Sequence, residues 1–341
     1  MKVYYSETHR GHSPPFEIFD GGLRTPYLEN PDRMDQILNA LRGVKWSDIA
    51  APFDFGLSPI LEVHNKDYLD FLASAWTEWL ATDPQDPSTL LTSTFALRRQ
   101  PQKPKSLLGR AGYYVMDLSA CIVEGTYQAA LSSANCALSA SQAVSEKGER
   151  SAFGLCRPPG HHAGKDYAGG YCFINNASVA ANWLSSKGRV AVLDVDYHAG
   201  NGTQDIFYDR DDVLTISVHA DPDYEYPSYI GFANERGRGR GFGFHHNFPL
   251  PKGVDDAGYL STLDRALDLI SEFKPAHLVV SAGMDIYADD PLGTIKVTTA
   301  GIGEIGRRVA SLKIPTVIVM EGGYANEMLG VNILAFLGEF K

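Results

Sequence analysis

VAVLDVDYHAGNG, residues 190–202, is an apolar run that ends abruptly in two carboxylates, an imidazole and glycines. Its β-branched and aliphatic content over residues 189–195 predicts a strand buried on both faces, the kind a parallel sheet covered by helices requires. Alternate positions of a strand share a face, so Asp196 and His198 can project together where it ends. Carboxylates delivered out of a buried strand are stable there when they are paired or hold a metal. Two aspartates capping a strand end would give the same local pattern.

Outward from this run the chain repeats the design. Residues 151–155, 213–218, 277–282 and 315–320 read as further buried strands, with amphipathic helical stretches at 175–186, 255–273 and 301–312. Strand–helix alternation predicts a single-domain α/β fold over 1–341, a mainly parallel open sheet flanked by helices. Ligands bind such a sheet at the carboxyl ends of its strands. Polar clusters follow four of the runs, at 157–162, 194–202, 283–290 and 321–324, so one shared site is expected. Residues 83–111, rich in Pro and in basic residues, interrupt the alternation and read as an excursion from the sheet.

Composition narrows the function. A formal net charge of −11 over 341 residues opposes nucleic acid as a partner and suits a cationic substrate. Cys121, Cys136, Cys156 and Cys172 show no C-x-x-C spacing and read as reduced thiols. The first residues, MKVYYSETHRGH, contain no apolar core of signal-peptide length, and no apolar run reaches membrane-spanning length. A cytoplasmic protein without a membrane partner is expected.

Asp285 lies just past the 277–282 strand and would complete a two-Asp, one-His metal set, although a loop-capping role fits it equally. His161 and His162 in RPPGHH suit acid–base work near neutral pH, with Asp194 the natural partner for one of them; a polar helix-capping pair is the plainer alternative. Tyr324 follows Gly322 and Gly323 and can swing over a site to meet a developing oxyanion, or can simply pack after a turn. Tyr171 reads as a core aromatic, Asp289 and Asp290 as turn formers ahead of Pro291. His245 and His246 follow the Gly-rich GRGRGFGF run and read as loop residues.

Taken in order, RPPGHHA, GGYCFINNA, DVDYHAGNGT, GMDIYADDP and EGGY resemble the motif series of the histone-deacetylase superfamily, with its arginase–deacetylase fold. The excursion at 80–118 is similar to that of bacterial acetylpolyamine amidohydrolases, where it supports a homodimer. The resemblance implies Asp196, His198 and Asp285 as zinc ligands, with Fe2+ or Co2+ also compatible with the donor set. It implies His162 as general base, His161 with Asp194 as electrostatic support, and Tyr324 polarising the scissile carbonyl. Gly170, Tyr171 and Tyr226 would line the substrate channel, and Asp194, Asp196, His198 and Ser217 would hold a structural K+. Ala199 and Asn201 depart from the eukaryotic pattern; neutral Asn201 beside a histidine raises the imidazole pKa less than a carboxylate would. Acetylpolyamine enzymes carry acids in the dimer loop, whereas here Arg98, Arg99, Lys103, Lys105 and Arg110 prevail, with Asp117 and Glu124 nearby.

The implied reaction is metal-assisted hydrolysis of a small acetylated amine. Competing expectations are a protein acetyl-lysine deacetylase, a binuclear manganese ureohydrolase, which would need further Asp and His ligands, and a non-catalytic amine-binding protein, which would need a damaged ligand set or the loss of Tyr324.

Overall fold

The computed structural model describes residues 1–96 and 102–341. Among the described residues ten strands are formed: β1 (Lys2–Tyr4), β2 (Glu17–Phe19), β3 (Leu23–Thr25), β4 (Asp48–Ala50), β5 (Ser151–Gly154), β6 (Val190–Asp194), β7 (Val213–Ala220), β8 (His245–Leu250), β9 (His277–Ala282) and β10 (Thr316–Met320). The helices are α1 (Asp32–Arg42), α2 (Ser58–Leu61), α3 (Lys66–Leu80), α4 (Leu107–Tyr114), α5 (Thr126–Glu146), α6 (Asn176–Ser185), α7 (Asn201–Phe207), α8 (Asp256–Phe273), α9 (Thr299–Ser311) and α10 (Asn326–Leu337).

Eight strands form one sheet in the order β4-β1-β5-β10-β9-β6-β7-β8, every neighbouring pair parallel, while β2 and β3 make a separate antiparallel hairpin. Side-chain alternation divides each central strand between two cores. Val190 and Val192 join the layer under α3, α5 and α6, whereas Ala191 and Leu193 join the layer under α1, α8, α9 and α10. Each buried Val, Leu or Ile contributes about 1.5–3 kcal/mol on area grounds, which explains why these strands carry apolar residues at both parities.

The five expected strands all form, within a residue or two of the expected ends. Three sheet strands were not expected: β1 and β4 are three residues long, and β8 begins with two histidines. His245 and His246 are therefore strand residues, a correction. His245 is buried against Thr215 Oγ1 at 2.6 Å. The pair still lies apart from the polar loops at the strand ends.

The chain direction makes a switch point. From β6 the chain moves outward to β7 and β8, then returns to lay β9 on the other side of β6 and continues to β10. A crevice opens at the carboxyl ends where two such directions diverge. The four polar loops leave β5, β10, β9 and β6, which are consecutive in the sheet.

In the excursion, Arg98 and Arg99 lie outside the described residues. Lys103 pairs with Asp67 and Arg110 with Glu78, both on α3. Those two bases therefore face the body of their own subunit. Lys105 and Glu124 are exposed.

Candidate active site and metal centre

β6 delivers Asp196 and His198, and β9 delivers Asp285, across the switch point. Donor atoms of these three residues lie within 4.8 Å of one another. His198 Nδ1 is 3.4 Å from Asp196 Oδ1 and 3.3 Å from Asp285 Oδ2. Both carboxylates are fully buried. Backbone N–H groups satisfy part of each: Gly322 and His198 donate to Asp196 at 2.8 and 2.9 Å, and Tyr197 donates to Asp285 Oδ1 at 2.9 Å. Asp285 Oδ2 takes no hydrogen bond. Burial and the nearby Asp196 charge push the Asp285 carboxyl up to about 7. The group is thus short of positive charge, which a divalent cation would supply.

Two glycines keep the space beside these oxygens clear. A Cβ on Gly322 would stand 2.3 Å from Asp285 Oδ2 and 2.7 Å from Asp196 Oδ2, and one on Gly283 would stand 2.0 Å from Asp196 Oδ2. An orphaned buried oxygen, a cleared cradle and an O/N/O donor set together fit a divalent metal of the zinc type.

The β5 loop brings the histidine pair alongside, with ring centroids 3.9 Å apart. His161 Nδ1 lies 3.0 Å from Asp194 Oδ2, and its Nε2 3.6 Å from Asp196 Oδ1. Burial disfavours its charge, but Asp196 and Asp194 outweigh burial and raise its pKa well above the ordinary value. His162 behaves oppositely. Burial, then the charges of His161 and His198, hold it well below the ordinary imidazole range. His162 Nδ1 donates to Asn201 Oδ1 at 2.6 Å, which leaves Nε2 as the proton acceptor. One imidazole is therefore charged and its neighbour neutral, the division an acid–base pair requires.

Tyr324 stands on the far wall, its ring 5.6 Å from that of Tyr171. A cavity of about 480 Å³ is lined by His162, Gly170, Tyr171, His198, Tyr226 and Tyr324, with Asp117 and Glu225 among its walls. Tyr226 packs edge-on to His162 at 4.8 Å. Gly170 adopts φ +48°, and a Cβ there would meet His162 Cδ2 at 2.3 Å. Asp117 Oδ2 receives both Gly170 N and Tyr226 Oη at 2.7 Å, so one carboxylate clamps two walls. Tyr171, a core aromatic by local pattern and a channel residue by resemblance, is buried beside Tyr27 and Tyr324 and lines the cavity; its hydroxyl donates to Glu17 Oε2 at 2.7 Å.

Ser217 sits beside Asp194 in the register of β6 and β7, and its hydroxyl engages His219 Nδ1 at 2.7 Å. Asp290 makes the expected turn, its Oδ1 accepting the backbone N–H of Leu292 at 3.0 Å, and its Oδ2 does more: buried, it accepts the backbone N–H of Tyr324 at 2.6 Å and of Ala325 at 3.0 Å, so it also shapes the Tyr324 loop; Asp289 is exposed.

Sequence reasoning missed the scaffold beneath the site. Arg33, fully buried, donates to the carbonyl oxygens of Glu321 and Gly323 at 2.7 Å each, and its guanidinium lies 4.8 Å over the Tyr324 ring. Glu29 Oε1 joins Arg33 at 2.6 Å to Arg157 at 2.9 Å, the latter opening the RPPGHH loop. The i, i+4 spacing of Glu29 and Arg33 is also what an exposed helical pair shows.

Comparison with known proteins accords with this geometry. The histone deacetylase domain model matches residues 27–339. Acetylpolyamine amidohydrolase 1 of Pseudomonas aeruginosa is 46% identical, the alignment covering 100% of this chain and 99% of the relative. Acetylpolyamine amidohydrolase of Mycoplana ramosa is 40% identical over 98% of this chain and 97% of its own length. The crystal structure of acetylpolyamine aminohydrolase from Burkholderia pseudomallei superposes with a TM-score of 0.95 at 41% identity, covering 100% of this chain and 98% of that one. An all-parallel sheet, a switch-point donor cluster and a domain match running nearly end to end lead to one assignment: this chain belongs to the histone deacetylase family.

Proposed function

We propose that the chain is a metal-dependent amidohydrolase that removes acetyl groups from acetylpolyamines. One observation carries the reading: His162, His198 and Tyr324 line one cavity of about 480 Å³, and His198 clusters there with the buried carboxylates of Asp196 and Asp285. The names and full-length identity of the relatives support the substrate class. Asp117 and Glu225 in the walls, within a chain of net charge −11, favour a cationic amine.

Asp196, His198 and Asp285 would hold the metal, for which zinc is the proposed ion and Fe2+ or Co2+ the compatible alternatives. A divalent ion bound there supplies Lewis acidity toward a carbonyl oxygen and acidifies water. In this proposal His162 Nε2 takes a proton from the attacking water, while Asn201 holds Nδ1–H in place. Charged His161, paired with Asp194, stabilises the negative charge that develops on the acetamide oxygen as water adds, and Tyr324 Oη donates to that oxygen; a proton from the histidine pair then passes to the amine nitrogen as the C–N bond breaks. Gly170, Tyr171 and Tyr226 confine the acyl-amine linker and exclude water.

Further parts of the proposal rest on narrower support. A structural K+ at Asp194, Asp196, His198 and Ser217 is supported by the side-by-side register of Asp194 and Ser217. Residues 1–341 form one deacetylase domain, and a homodimer forms through the 80–118 excursion, whose Phe95 and Leu108 are 39% and 49% exposed; light scattering of the active enzyme as a monomer would count against it. Among the described residues no helix is long and apolar enough to cross a membrane. A cytoplasmic setting is supported by four free buried cysteines.

The test is substrate profiling of metal-reconstituted enzyme. Acetylputrescine, acetylcadaverine and acetylspermidine should be hydrolysed with higher kcat/KM than acetyl-lysine peptides. The reverse order would replace the polyamine reading with protein deacetylation.

A further inference from the structure

His162 is gripped from several sides, and two of the grips lead to one carboxylate. The Cδ2–Nε2 edge of its ring lies so close to Gly170 that a Cβ there would stand 2.3 Å from Cδ2 and 3.0 Å from Nε2. Tyr226 meets the same ring edge-on, with centroids 4.8 Å apart. Asp117 Oδ2 accepts the backbone N–H of Gly170 and the hydroxyl of Tyr226, each at 2.7 Å. Its Oδ1 accepts the backbone N–H groups of Ser119 and Ala120, each at 3.0 Å. A carboxylate offers about four lone-pair positions, so these donors leave Asp117 none for a substrate ammonium. The preceding residue braces the third grip. Met116 N–H is fixed on Ala168 O at 2.9 Å, and its Sδ lies 3.9 Å from Nδ2 of Asn201, the residue that holds His162 Nδ1.

We propose that Asp117 is a positioning residue for the His162 imidazole: it fixes Gly170 and Tyr226, the two channel walls that touch the ring, and does not itself bind the distal ammonium of the substrate. Its negative charge still favours a cation in the cavity, but its lone pairs serve the protein. Asn201 sets where Nδ1 sits, yet one hydrogen bond leaves a ring free to pivot about it. Contacts at the opposite edge set the direction in which Nε2 points. General-base catalysis depends on that direction, because the acceptor must meet the water's proton at hydrogen-bond distance. The kinetic consequence rests on the deacetylase reading; the clamp on the ring does not.

Asp117→Asn keeps the shape of the side chain but turns an NH2 group toward donors that need an acceptor. With metal-reconstituted enzyme and N-butylacetamide, the neutral counterpart of acetylputrescine, kcat should fall about 10–100-fold while KM stays at the parent value, since misplacing a reacting group by about 1 Å can cost 10²-fold. Tyr226→Phe removes one of the four bonds and keeps the ring. Its loss in kcat should be smaller, and the double variant should be no slower than Asp117→Asn, because both act through one contact. Parent kcat for N-butylacetamide in Asp117→Asn, with KM raised for acetylputrescine alone, would assign Asp117 to the ammonium and overturn the proposal. Crystal structures give a readout that needs no activity: in Asp117→Asn the His162 ring should be displaced or split between positions. A ring in the parent position would overturn the proposal even if the parent enzyme hydrolysed no acetylamide, the outcome that sinks the deacetylase reading instead. Where Asp117→Asn does not fold, Tyr226→Phe carries the test, and an unmoved ring with parent kcat would overturn it.

Discussion

Arg33 Nε donates to the carbonyl oxygen of Gly323 at 2.7 Å, across 290 residues of chain. The same guanidinium holds Glu321 O, so two peptide units of the loop bearing Tyr324 hang from one side chain. Glu29 balances this charge and that of Arg157 with a single carboxylate oxygen. Glu29→Gln would leave two buried guanidiniums facing each other without an anion between them. Breaking a buried pair costs about 3–5 kcal/mol, and urea unfolding should show a loss of that size. Turnover should fall more than KM changes, because the loop positions Tyr324 and does not hold the amine. A midpoint within experimental error of the parent would refute this account.

Gly322 makes the proposed metal centre sensitive to one methyl group. Gly322→Ala removes no ligand, yet places a Cβ 2.3 Å from Asp285 Oδ2. Its metal content after dialysis should drop toward that of Asp285→Ala. Elemental analysis giving one metal per chain in either variant would rule out the assignment of that cradle.

His162 and Tyr324 are proposed to act on the transition state, and an interaction made mainly there lowers kcat while leaving ground-state binding nearly intact. His162→Ala should cost about 10²–10⁴-fold in kcat, and Tyr324→Phe about 10²–10³-fold. Both variants should keep their metal and bind acetylated amine. Steady-state kinetics alongside metal analysis and calorimetric binding separates this from a folding defect.

The pH profile carries a sign. In the proposed reaction His162 works as a neutral base, and burial together with the charges of His161 and His198 lowers its pKa from the ordinary 6.5. Activity is therefore fully present above that lowered pKa and lost as pH falls through it, so the acid limb of kcat/KM should lie below pH 6.5. A bound cation moves it further in the same direction. Asn201→Asp places a negative charge at Nδ1, stabilises the imidazolium and should carry the limb upward by roughly 1–3 pH units. An unmoved limb would show that another group controls it.

The strand ends were legible because each buried run stops at a polar motif, and desolvation makes such an ending conspicuous. Asp196, His198, Asp285, His161, His162 and Tyr324 all emerged this way. The supports did not. Arg33 sits on α1, and nothing in the local pattern distinguishes a buried arginine from a solvated one. Asp290 precedes a proline, as turn aspartates do, and its bonds to Tyr324 and Ala325 depend on a loop 34 residues on. β8, HHNFPL, is an edge strand with half its residues only partly buried. Its histidines and proline therefore carry no apolar alternation. β1 and β4 are too short to show a period at all.

β10, the last in chain order of the strands among the described residues, lies in the middle of the sheet between β5 and β9. Until it arrives, β4-β1-β5 and β9-β6-β7-β8 are two ribbons with exposed, mutually complementary edges about 10 Å from closing, two interstrand spacings. The chain thus carries an open slot until β10 docks, and Tyr324 and Glu321 enter with the strand that fills it. Non-local pairing of this kind is slow and exposes edges that other chains can occupy. Completion of the candidate site and protection from self-association therefore come together, in the docking of one strand.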